Sequence, residues 1–369
     1  MRIKAAVLRE HDGPFRIEDV ELADPLPGEV RVAIAGVGLC HTDEVVRLPA
    51  LGLLPLIAGH EGAGVVDAVG PGVTDVRVGD HVVLAPDSCG DCVNCQAAHP
   101  AYCTVPAGPN TFALRNMTGR RLDGTTSVHD ADGGEVAARW FQQSSFASHT
   151  VVAARNVVVV DPEVPVELLG PLGCSVLTGA GSVFNALNVQ PGTGFAVFGA
   201  GAVGLSAVMA AQVAGAGTIV AVDRLPQRLE LAKELGATHV VLADEDTDLA
   251  AEVVAATGGG AQSIVDTTGS PRVISAAIAS LRLTGVLGLV AFQQGDVAIG
   301  PTDLAAGRTV TGIVLGDAVH RELVPRLIEL RRQGRFPFDR LITKYPLADI
   351  NDAEQAVQAG TVVKPVLLP

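Results

Sequence analysis

The chain has 369 residues, of which 48% are hydrophobic, and its 26 Lys and Arg face 40 Asp and Glu, for a formal net charge of −14. The length predicts two domains with a large core, and the acidic balance without a basic run argues against a nucleic-acid partner. The first residues lack the apolar segment of a signal peptide, and the longest uncharged stretch, 195–222, is interrupted by glycines. We therefore expect a cytoplasmic protein that does not cross a membrane.

The first 160 residues consist of short Val-rich runs broken by Gly and Pro. This pattern predicts mostly antiparallel β structure with little helix. Within it, four cysteines lie close together, at Cys89, Cys92, Cys95 and Cys103. Their short spacers disfavour disulfides between neighbours but let four thiolates converge on one tetrahedral ion. We expect a structural zinc site in a lobe of about residues 86–105; a disulfide cluster and an iron–sulfur cluster are the alternatives.

Cys40 and Cys174 are the two remaining cysteines, and His60 and Glu61 stand among glycines between them. Two thiolates and one imidazole would leave zinc with an open position, as in catalytic zinc sites. A lone buried histidine is more often a core residue, so the prediction of a zinc ligand rests on the two unassigned cysteines. The other histidines show no such pattern.

A glycine loop follows the apolar run at 195–198. Gly199, Gly201 and Gly204 form the pattern G-x-G-x-x-G, with Val203 inside it, and an Ala-rich helical stretch continues to about 214. The first glycine makes the turn, the second lets backbone N–H groups approach a pyrophosphate, and the third lets the helix pack on the strand. The phosphates would then lie at the positive end of the helix. The loop predicts a dinucleotide site.

Asp223 ends the next predicted strand, 218–222, nineteen residues after Gly204. Its carboxylate would accept hydrogen bonds from the adenosine ribose hydroxyls and repel a 2′-phosphate, which favours NAD over NADP. Arg224 opposes this argument, because an adjacent Arg can pair with a 2′-phosphate. Arg228 is assigned to the same cofactor site.

Strands and helices alternate in the part of the chain that follows. Strands are predicted at 239–242, 263–266 and 286–290, with helices at 227–235 and 274–281. Such alternation indicates a parallel sheet with helices on both faces. From Thr311 onward the pattern is mixed.

Together these features resemble the zinc-dependent medium-chain alcohol dehydrogenase family over essentially the whole chain. The resemblance implies an α/β plus β fold, with a GroES-like catalytic domain at 1–176 and 314–369 and an inserted Rossmann NAD-binding domain at 177–313. It also implies two zinc ions per chain, one catalytic and one structural, NAD as cofactor, and a homodimer or homotetramer. Two stretches, 143–147 and 334–342, are most similar to the aryl (benzyl) alcohol dehydrogenases. The resemblance rests on Cys40-His41-Thr42, Gly59-His60-Glu61, the four-cysteine lobe, Cys174 and the glycine loop.

Carried over position by position, the resemblance assigns roles around the catalytic zinc. Cys40, His60 and Cys174 match its ligands. Glu61 matches an acid that lies behind the zinc, and Asp43 matches a carboxylate that holds the ligating histidine.

Other positions match the proton relay and the cofactor contacts. Thr42 matches the hydroxyl that takes the substrate proton. Val45 stands where many family members place a histidine that passes the proton to solvent, so the relay beyond Thr42 stays open. His41 and Lys364 match contacts to the cofactor pyrophosphate, and Thr178 matches a position beside the nicotinamide.

Trp140 and Phe141 precede 143–147 in a segment whose family counterparts wall the substrate cleft. Ala85 stands where relatives often place a bulky ring. A small residue opposite large rings predicts a flat, apolar slot for an aromatic or allylic alcohol. The alternative is that Trp140 and Phe141 pack in the core.

The expected activity is therefore NAD-dependent oxidation of a primary alcohol, of the benzyl alcohol type, to the aldehyde. One alternative is oxidation of a thiol–aldehyde adduct, which requires a cationic anchor such as Arg115, Arg120 or Arg121. A second is a non-catalytic cofactor-binding protein, against which the full set of predicted ligands argues.

Overall fold

The computed structural model describes residues 1–107 and 111–369 and divides them into two units. Unit 1 comprises Met1–Cys174, Val319–Ile328 and Asp339–Pro369, and unit 2 comprises Ser175–Ala318 and Glu329–Phe338. The first boundary lies two residues before the predicted one, and the second lies five residues after it. Residues Glu329–Phe338, expected in the catalytic domain, are grouped with unit 2.

Eighteen strands and nine helices are found in the described ranges. The strands are β1 (Arg2–Leu8), β2 (Arg16–Leu22), β3 (Glu29–Gly38), β4 (Leu56–Ile57), β5 (Glu61–Val69), β6 (His81–Leu84), β7 (Val128–His129), β8 (Glu135–Val136), β9 (His149–Ala153), β10 (Val157–Val160), β11 (Gly194–Phe198), β12 (Thr218–Asp223), β13 (His239–Leu242), β14 (Ala261–Asp266), β15 (Leu281–Leu289), β16 (Thr309–Gly312), β17 (Ile342–Pro346) and β18 (Lys364–Leu368). The helices are α1 (Val93–Gln96), α2 (Thr111–Asn116), α3 (Ser175–Gly181), α4 (Ala202–Ala214), α5 (Pro226–Glu234), α6 (Leu249–Thr257), α7 (Pro271–Ala279), α8 (His320–Arg332) and α9 (Ile350–Gln358).

Unit 1 is mainly β structure, because its runs of Val and other β-branched residues fit a pleated, half-buried surface. One sheet has the order β4-β1-β2-β7-β8, and a second has the order β10-β6-β5-β3-β18-β17, with β9 also paired to β3. The pairs are antiparallel except β17 with β18. The expected antiparallel character of this region is confirmed.

Unit 2 contains a parallel sheet in the order β13-β12-β11-β14-β15-β16. Helices α4 to α7 connect successive strands from β11 to β15, as the alternating pattern predicts. The strand order reverses between β11 and β14, and ligands of such sheets bind beyond the carboxyl ends of the strands at this reversal. The glycine loop directly follows β11, so the fold places it at that position.

Some predicted boundaries differ from the observed ones. The strand predicted at 286–290 begins earlier, at Leu281, and the helix predicted at 274–281 ends at Ala279. Of residues 281–285, which are less regularly apolar than 286–290, Leu281 pairs with Ala261 of β14, and the register shifts before the pairing resumes at Val286. Among the described residues, no helix is both long enough and apolar enough to cross a membrane.

Candidate active site and metal centres

Four side chains from distant parts of unit 1 converge on one point. Cys40, His60, Glu61 and Cys174 each contribute one potential ligand atom, and these atoms lie within 4.8 Å of one another. His60 and Glu61 are buried, whereas Cys40 and Cys174 keep partial exposure. The imidazole and carboxylate sides of the cluster are therefore enclosed.

Strand pairing explains why these residues meet. Gly38 at the end of β3 pairs with Glu61 at the start of β5, which brings the segment carrying Cys40 beside His60. A Cβ atom on Gly38 would overlap the Glu61 carboxylate, so the site requires a glycine there.

Asp43 holds the imidazole of His60 from behind. Its Oδ1 atom lies 2.7 Å from His60 Nδ1 and accepts the Gly59 N–H at 3.1 Å, while its Oδ2 atom accepts the Cys40 N–H at 3.2 Å. Burial lowers the pKa of His60, but the Asp43 carboxylate outweighs it, so the pKa lies well above its ordinary value. Because a carboxylate only accepts, Nδ1 keeps its proton, and a metal ion would bind at Nε2 by displacing the proton there.

The donor set fits a zinc ion. His60 Nε2 is buried and has no hydrogen-bond partner among the described residues. A hydrogen bond between the two thiols lowers the pKa of Cys40 and raises that of Cys174, so the pair shares one proton that a divalent cation would displace. Two sulfurs and one unpartnered imidazole nitrogen are the donors of a zinc site with an open position.

Lys364 lies on the other side of Glu61. Its Nζ atom donates to the Leu39 carbonyl at 2.9 Å and to Glu61 Oε2 and Oε1 at 3.0 and 3.2 Å. Burial favours the neutral amine, but Glu61 outweighs it and raises the pKa of Lys364. Lys364 is 2% exposed and supplies the cationic partner that the buried Glu61 carboxylate requires; its expected contact with the cofactor pyrophosphate stays a prediction.

The second cluster consists of the four lobe cysteines. Their sulfur atoms lie within 4.8 Å of one another, and Cys89 and Cys95 are 3.9 Å apart. Four ligands at the usual Zn–S distance of ~2.3 Å would be separated by about 3.8 Å, so the cluster fits a tetrahedral zinc ion.

Backbone N–H groups contact this cluster, and two ion pairs hold its lobe. Cys92 N–H donates to Cys89 Sγ at 3.3 Å, and the N–H of Thr104 lowers the pKa of Cys92 to about 5. The lobe is fixed to the rest of unit 1 through Asp87, which binds Arg115 at 2.7 Å and Arg155 at 2.7 Å.

The glycine loop in unit 2 forms a cradle that side chains would fill. Gly199 has a φ of 94°, and a Cβ on Gly204 would collide with the Gly199 carbonyl. No side chain caps α4, which begins after Gly201, so its first N–H groups are available to a phosphate.

The residues expected at the adenosine end surround this loop. Asp223 Oδ2 accepts the Ala200 N–H at 2.6 Å, and Oδ1 accepts the Leu225 N–H at 2.8 Å. Arg228 Nη1 lies 3.9 Å from where a Gly201 Cβ would be, and its Nε atom is buried without a partner among the described residues. Arg224 is exposed.

The other predicted residues lie near one of these centres along the chain. His41 and Thr42 directly follow Cys40 in the 3-10 helix His41–Arg47; His41 is exposed and Thr42 is half-buried. Thr178 is buried in α3. Ala85 is buried after β6, and the Leu84 carbonyl lies where a Cβ on Gly173 would be, so Ala85 and Cys174 follow two touching backbone segments.

Trp140 and Phe141 differ from the expectation. Trp140 has no accessible surface, and its indole N–H donates to Asp43 Oδ1 at 3.0 Å. The Phe141 ring stacks on the His60 ring, with centroids 4.3 Å apart and an interplanar angle of 25°. The structure therefore corrects the expectation for Trp140: its indole is a core group behind His60 rather than the wall of a slot, because the buried carboxylate of Asp43 needs its donor.

Gln143 is a site residue that the sequence did not reveal. Its side-chain amide donates to the His60 carbonyl at 2.9 Å and accepts the Gly62 N–H at 3.1 Å. No spacing signal marks such a residue, because its role depends on contacts across 83 and 81 positions.

Comparisons with known proteins agree with this geometry. Residues 26–162 match the model of the alcohol dehydrogenase GroES-like domain, and residues 202–331 match that of the zinc-binding dehydrogenases. Geraniol dehydrogenase of Castellaniella defragrans is 43% identical over 368 residues, which cover 99% of this chain and 97% of that protein. The chain belongs to the zinc-dependent medium-chain alcohol dehydrogenase family. The predicted resemblance, fold class, zinc and NAD cofactors, and NAD-dependent dehydrogenase activity are thereby confirmed.

Two further relatives of this dehydrogenase carry names that state a substrate of their own. The crystal structure of benzyl alcohol dehydrogenase from Acinetobacter calcoaceticus has a TM-score of 0.93 and 39% identity, and the match covers 100% of this chain and 99% of that one. S-(hydroxymethyl)glutathione dehydrogenase of Synechocystis is 33% identical over 378 residues, which cover both proteins fully.

Proposed function

We propose that this dehydrogenase oxidises a primary alcohol adjacent to an aromatic ring or a double bond to its aldehyde, reversibly, with NAD as the hydride acceptor. The observation that carries the proposal is the convergence of Cys40, His60 and Cys174, whose potential ligand atoms lie within 4.8 Å of one another, with a buried His60 Nε2 atom that has no hydrogen-bond partner among the described residues. The names of the geraniol and benzyl alcohol dehydrogenases support the allylic or aromatic substrate.

The ion pairs that three arginines form within the protein disfavour the thiol–aldehyde adduct as substrate. Arg115 binds Asp87, Arg120 binds Glu135 at 2.7 Å, and Arg121 binds Glu29 at 2.9 and 3.0 Å. Each guanidinium already has a carboxylate partner. A substrate such as S-(hydroxymethyl)glutathione carries carboxylates that would have to displace those partners.

Each residue near the cluster would have a defined task. A zinc ion at this site would supply Lewis-acid polarisation of the substrate hydroxyl, and NAD would supply the hydride acceptor. Cys40, His60 and Cys174 would hold the ion, and Asp43 would fix the tautomer of His60. Thr42 would accept the hydroxyl proton of the substrate and donate its own to the next group, since a threonine hydroxyl cannot act as a base by itself.

The four lobe cysteines would hold the second ion, which has no open position and therefore a structural task. The glycine loop would bind the NAD pyrophosphate at the start of α4, with Asp223 at the adenosine ribose and Arg228 beside the loop. His41 would contact the pyrophosphate, and Thr178 the nicotinamide.

The test is a comparison of kcat/KM for NAD reduction with geraniol, benzyl alcohol, ethanol and S-(hydroxymethyl)glutathione, with and without a chelator. We expect the allylic or aromatic alcohol to exceed ethanol by at least about a hundredfold, because burial of a ring or chain adds roughly 25 cal/mol for each Å² of apolar surface. Equal values for ethanol would contradict the substrate class, and a preference for the glutathione adduct would favour the alternative.

We also propose that the chain acts as a homodimer or homotetramer. The six-stranded sheet of unit 2 ends at β16, whose outer edge has no strand beside it among the described residues, and Leu283 on the adjacent β15 is 64% exposed. Open edges and exposed apolar groups favour association. Light scattering after size exclusion would test this, and a monomer would contradict it.

A further inference from the structure

The segment 140–144 contacts His60 and its immediate neighbours at three places. The Trp140 indole donates to Asp43 Oδ1 at 3.0 Å, the same oxygen that lies 2.7 Å from His60 Nδ1. The Phe141 ring covers one face of the imidazole. Gln143 binds the His60 carbonyl and the Gly62 N–H. The ring plane, the side-chain partner and the backbone of one predicted zinc ligand are therefore all held by five consecutive residues.

The backbone of this segment is strained. Phe141, Gln142 and Ser144 have φ values of 50°, 58° and 51°, in the left-handed region that residues with a Cβ avoid. Ser144 stabilises the conformation, because its hydroxyl accepts the Trp140 N–H at 2.8 Å and donates to the Ile57 carbonyl at 2.5 Å. Such strain persists where the surrounding contacts fix the backbone, and here it turns both aromatic rings toward His60 and Asp43.

We propose that Trp140 is a positioning residue for the catalytic zinc site, whose indole N–H fixes the Asp43 carboxylate and through it the orientation of His60. The inference rests on the proposed role of His60 as a zinc ligand. Mutation of a residue that holds a metal ligand in place typically lowers metal affinity about tenfold to a hundredfold.

The size of Trp140 alone does not account for these contacts. A phenyl ring would fill much of the same space, but it lacks a donor for the buried Asp43 oxygen. Within residues 1–107 and 111–369, the other donors to Asp43 are the backbone N–H groups of Gly59 and Cys40 and the ring of His60 itself. Trp140 is thus the side chain, outside the zinc ligands, that orients this carboxylate.

The first experiment removes the donor in Trp140→Phe. Zinc content is measured first, and the rate of zinc transfer to a coloured chelator is then followed for the two ions of the intact enzyme. We expect one ion to leave at least tenfold faster than in the wild type and the other at an unchanged rate. We also expect kcat for benzyl alcohol to fall about tenfold with little change in KM. An unchanged rate for both ions would show that Trp140 is a core residue only, and a change confined to KM would restore it to the substrate slot.

Gln142→Met is the matched control. Gln142 belongs to the same strained segment, but its amide donates away from His60, to the carbonyls of Arg115 and Arg120 at 2.9 and 3.1 Å. We expect this variant to melt at a lower temperature and to release both ions at wild-type rates. Release of one ion as fast as in Trp140→Phe would assign the effect to loosening of the segment and overturn the proposal.

A measurement on the unchanged protein does not depend on whether the variant folds. Trp140 is the single tryptophan of the chain, so one indole N–H signal is expected in the ¹⁵N spectrum. We expect this signal to be protected from solvent exchange and to shift when the zinc ion held by Cys40, His60 and Cys174 is removed. A signal that does not respond would overturn the inference alone. A wild-type enzyme with one zinc ion, held in the lobe, would overturn the proposed function as well.

Discussion

At the scale of single residues, Glu61 and Lys364 form a buried ion pair in unit 1. Both side chains are almost fully buried, and 303 positions separate them in sequence. Burying two charges is costly, so such a pair contributes little net stability, but removal of one partner leaves an uncompensated charge in the interior. Replacement of either residue alone should therefore cost more stability than the pair itself contributes.

Lys364→Met should destabilise the protein by about 3–5 kcal/mol, because Glu61 would remain buried without its cation. The double variant Lys364→Met with Glu61→Gln should recover most of this loss. The measurement is the free energy of unfolding in denaturant. Lys344→Met is the control, since the side chains of the Lys344–Glu167 pair are 46% and 32% exposed and its loss should cost about 0–1 kcal/mol. Equal losses in the two single variants would contradict the prediction.

His320 links stability to pH. Its Nε2–H donates to the Gly173 carbonyl at 3.0 Å, and burial lowers its pKa from the usual 6.5 to about 4. Between pH 6.5 and about 4, His320 binds a proton in the unfolded chain but not in the folded chain. His320 therefore contributes stability above pH 6.5 that is lost as the pH falls toward 4, by up to about 1.4 kcal/mol for each pH unit.

His320→Gln keeps an N–H donor but does not titrate. The difference in unfolding free energy between wild type and variant should therefore change with pH between 6.5 and 4, in the direction of wild-type loss, and stay constant above 7. Zinc dissociation in acid affects both proteins and cancels in the difference. Parallel curves throughout would show that His320 does not titrate in this range.

At the scale of elements, the turn from β11 into α4 combines geometry and charge. The Asp223 carboxylate at the end of β12 accepts the Ala200 N–H, so it orders the glycine loop in addition to its proposed contact with the adenosine ribose. Removal of this side chain should therefore affect both the conformation of the loop and the choice of cofactor.

Asp223→Ser should lower the ratio of kcat/KM for NAD to that for NADP at least tenfold, which is about 1.4 kcal/mol of transition-state binding. Arg224 and Arg228 could then meet a 2′-phosphate. Asp223→Asn keeps an acceptor for the loop and loses the charge, so it separates the two effects. If the ratio is unchanged in both variants, the carboxylate does not lie at the ribose.

Several elements of unit 2 could be predicted because they depend on local pattern, whereas the first residues of β15, helix α6 and strand β16 were not predicted. The strand at His239–Leu242 is observed with its predicted bounds, and α4 ends at Ala214 as expected. Zinc-ligand candidates were also accessible, because cysteines are rare in this chain and their spacing is informative. The role of Trp140 was not accessible, since the direction of its indole depends on left-handed backbone at Phe141 and Gln142. The Lys364 contact was missed for another reason: its partner lies in a distant strand.

At the scale of the whole molecule, the two candidate metal clusters both belong to unit 1 but differ in their surroundings. The lobe cluster is surrounded by backbone N–H groups and by the Asp87 ion pairs, whereas the Cys40 cluster has an unpartnered nitrogen. The lobe cluster should therefore determine folding, and the Cys40 cluster should determine activity.

Cys95→Ser should lose one of two zinc ions and melt at a lower temperature, because four thiolates form a closed site. Cys174→Ser should also lose one ion but keep its melting temperature within a few degrees, while turnover falls more than about a hundredfold. Elemental analysis, calorimetry and steady-state assays on the same preparations would test this. The opposite pattern, with Cys95→Ser active and Cys174→Ser unfolded, would exchange the two roles.

The order in which the chain leaves the ribosome gives one of these features a further meaning. Strand β18 pairs with β3 and carries Lys364 to Glu61, yet it lies more than three hundred residues after them. During synthesis, β3, β5 and the buried Glu61 emerge long before their partner, while the parallel sheet of unit 2 is complete once β16 has emerged. The nascent catalytic unit therefore cannot complete its sheet, or bury Glu61 beside Lys364, until translation has passed unit 2.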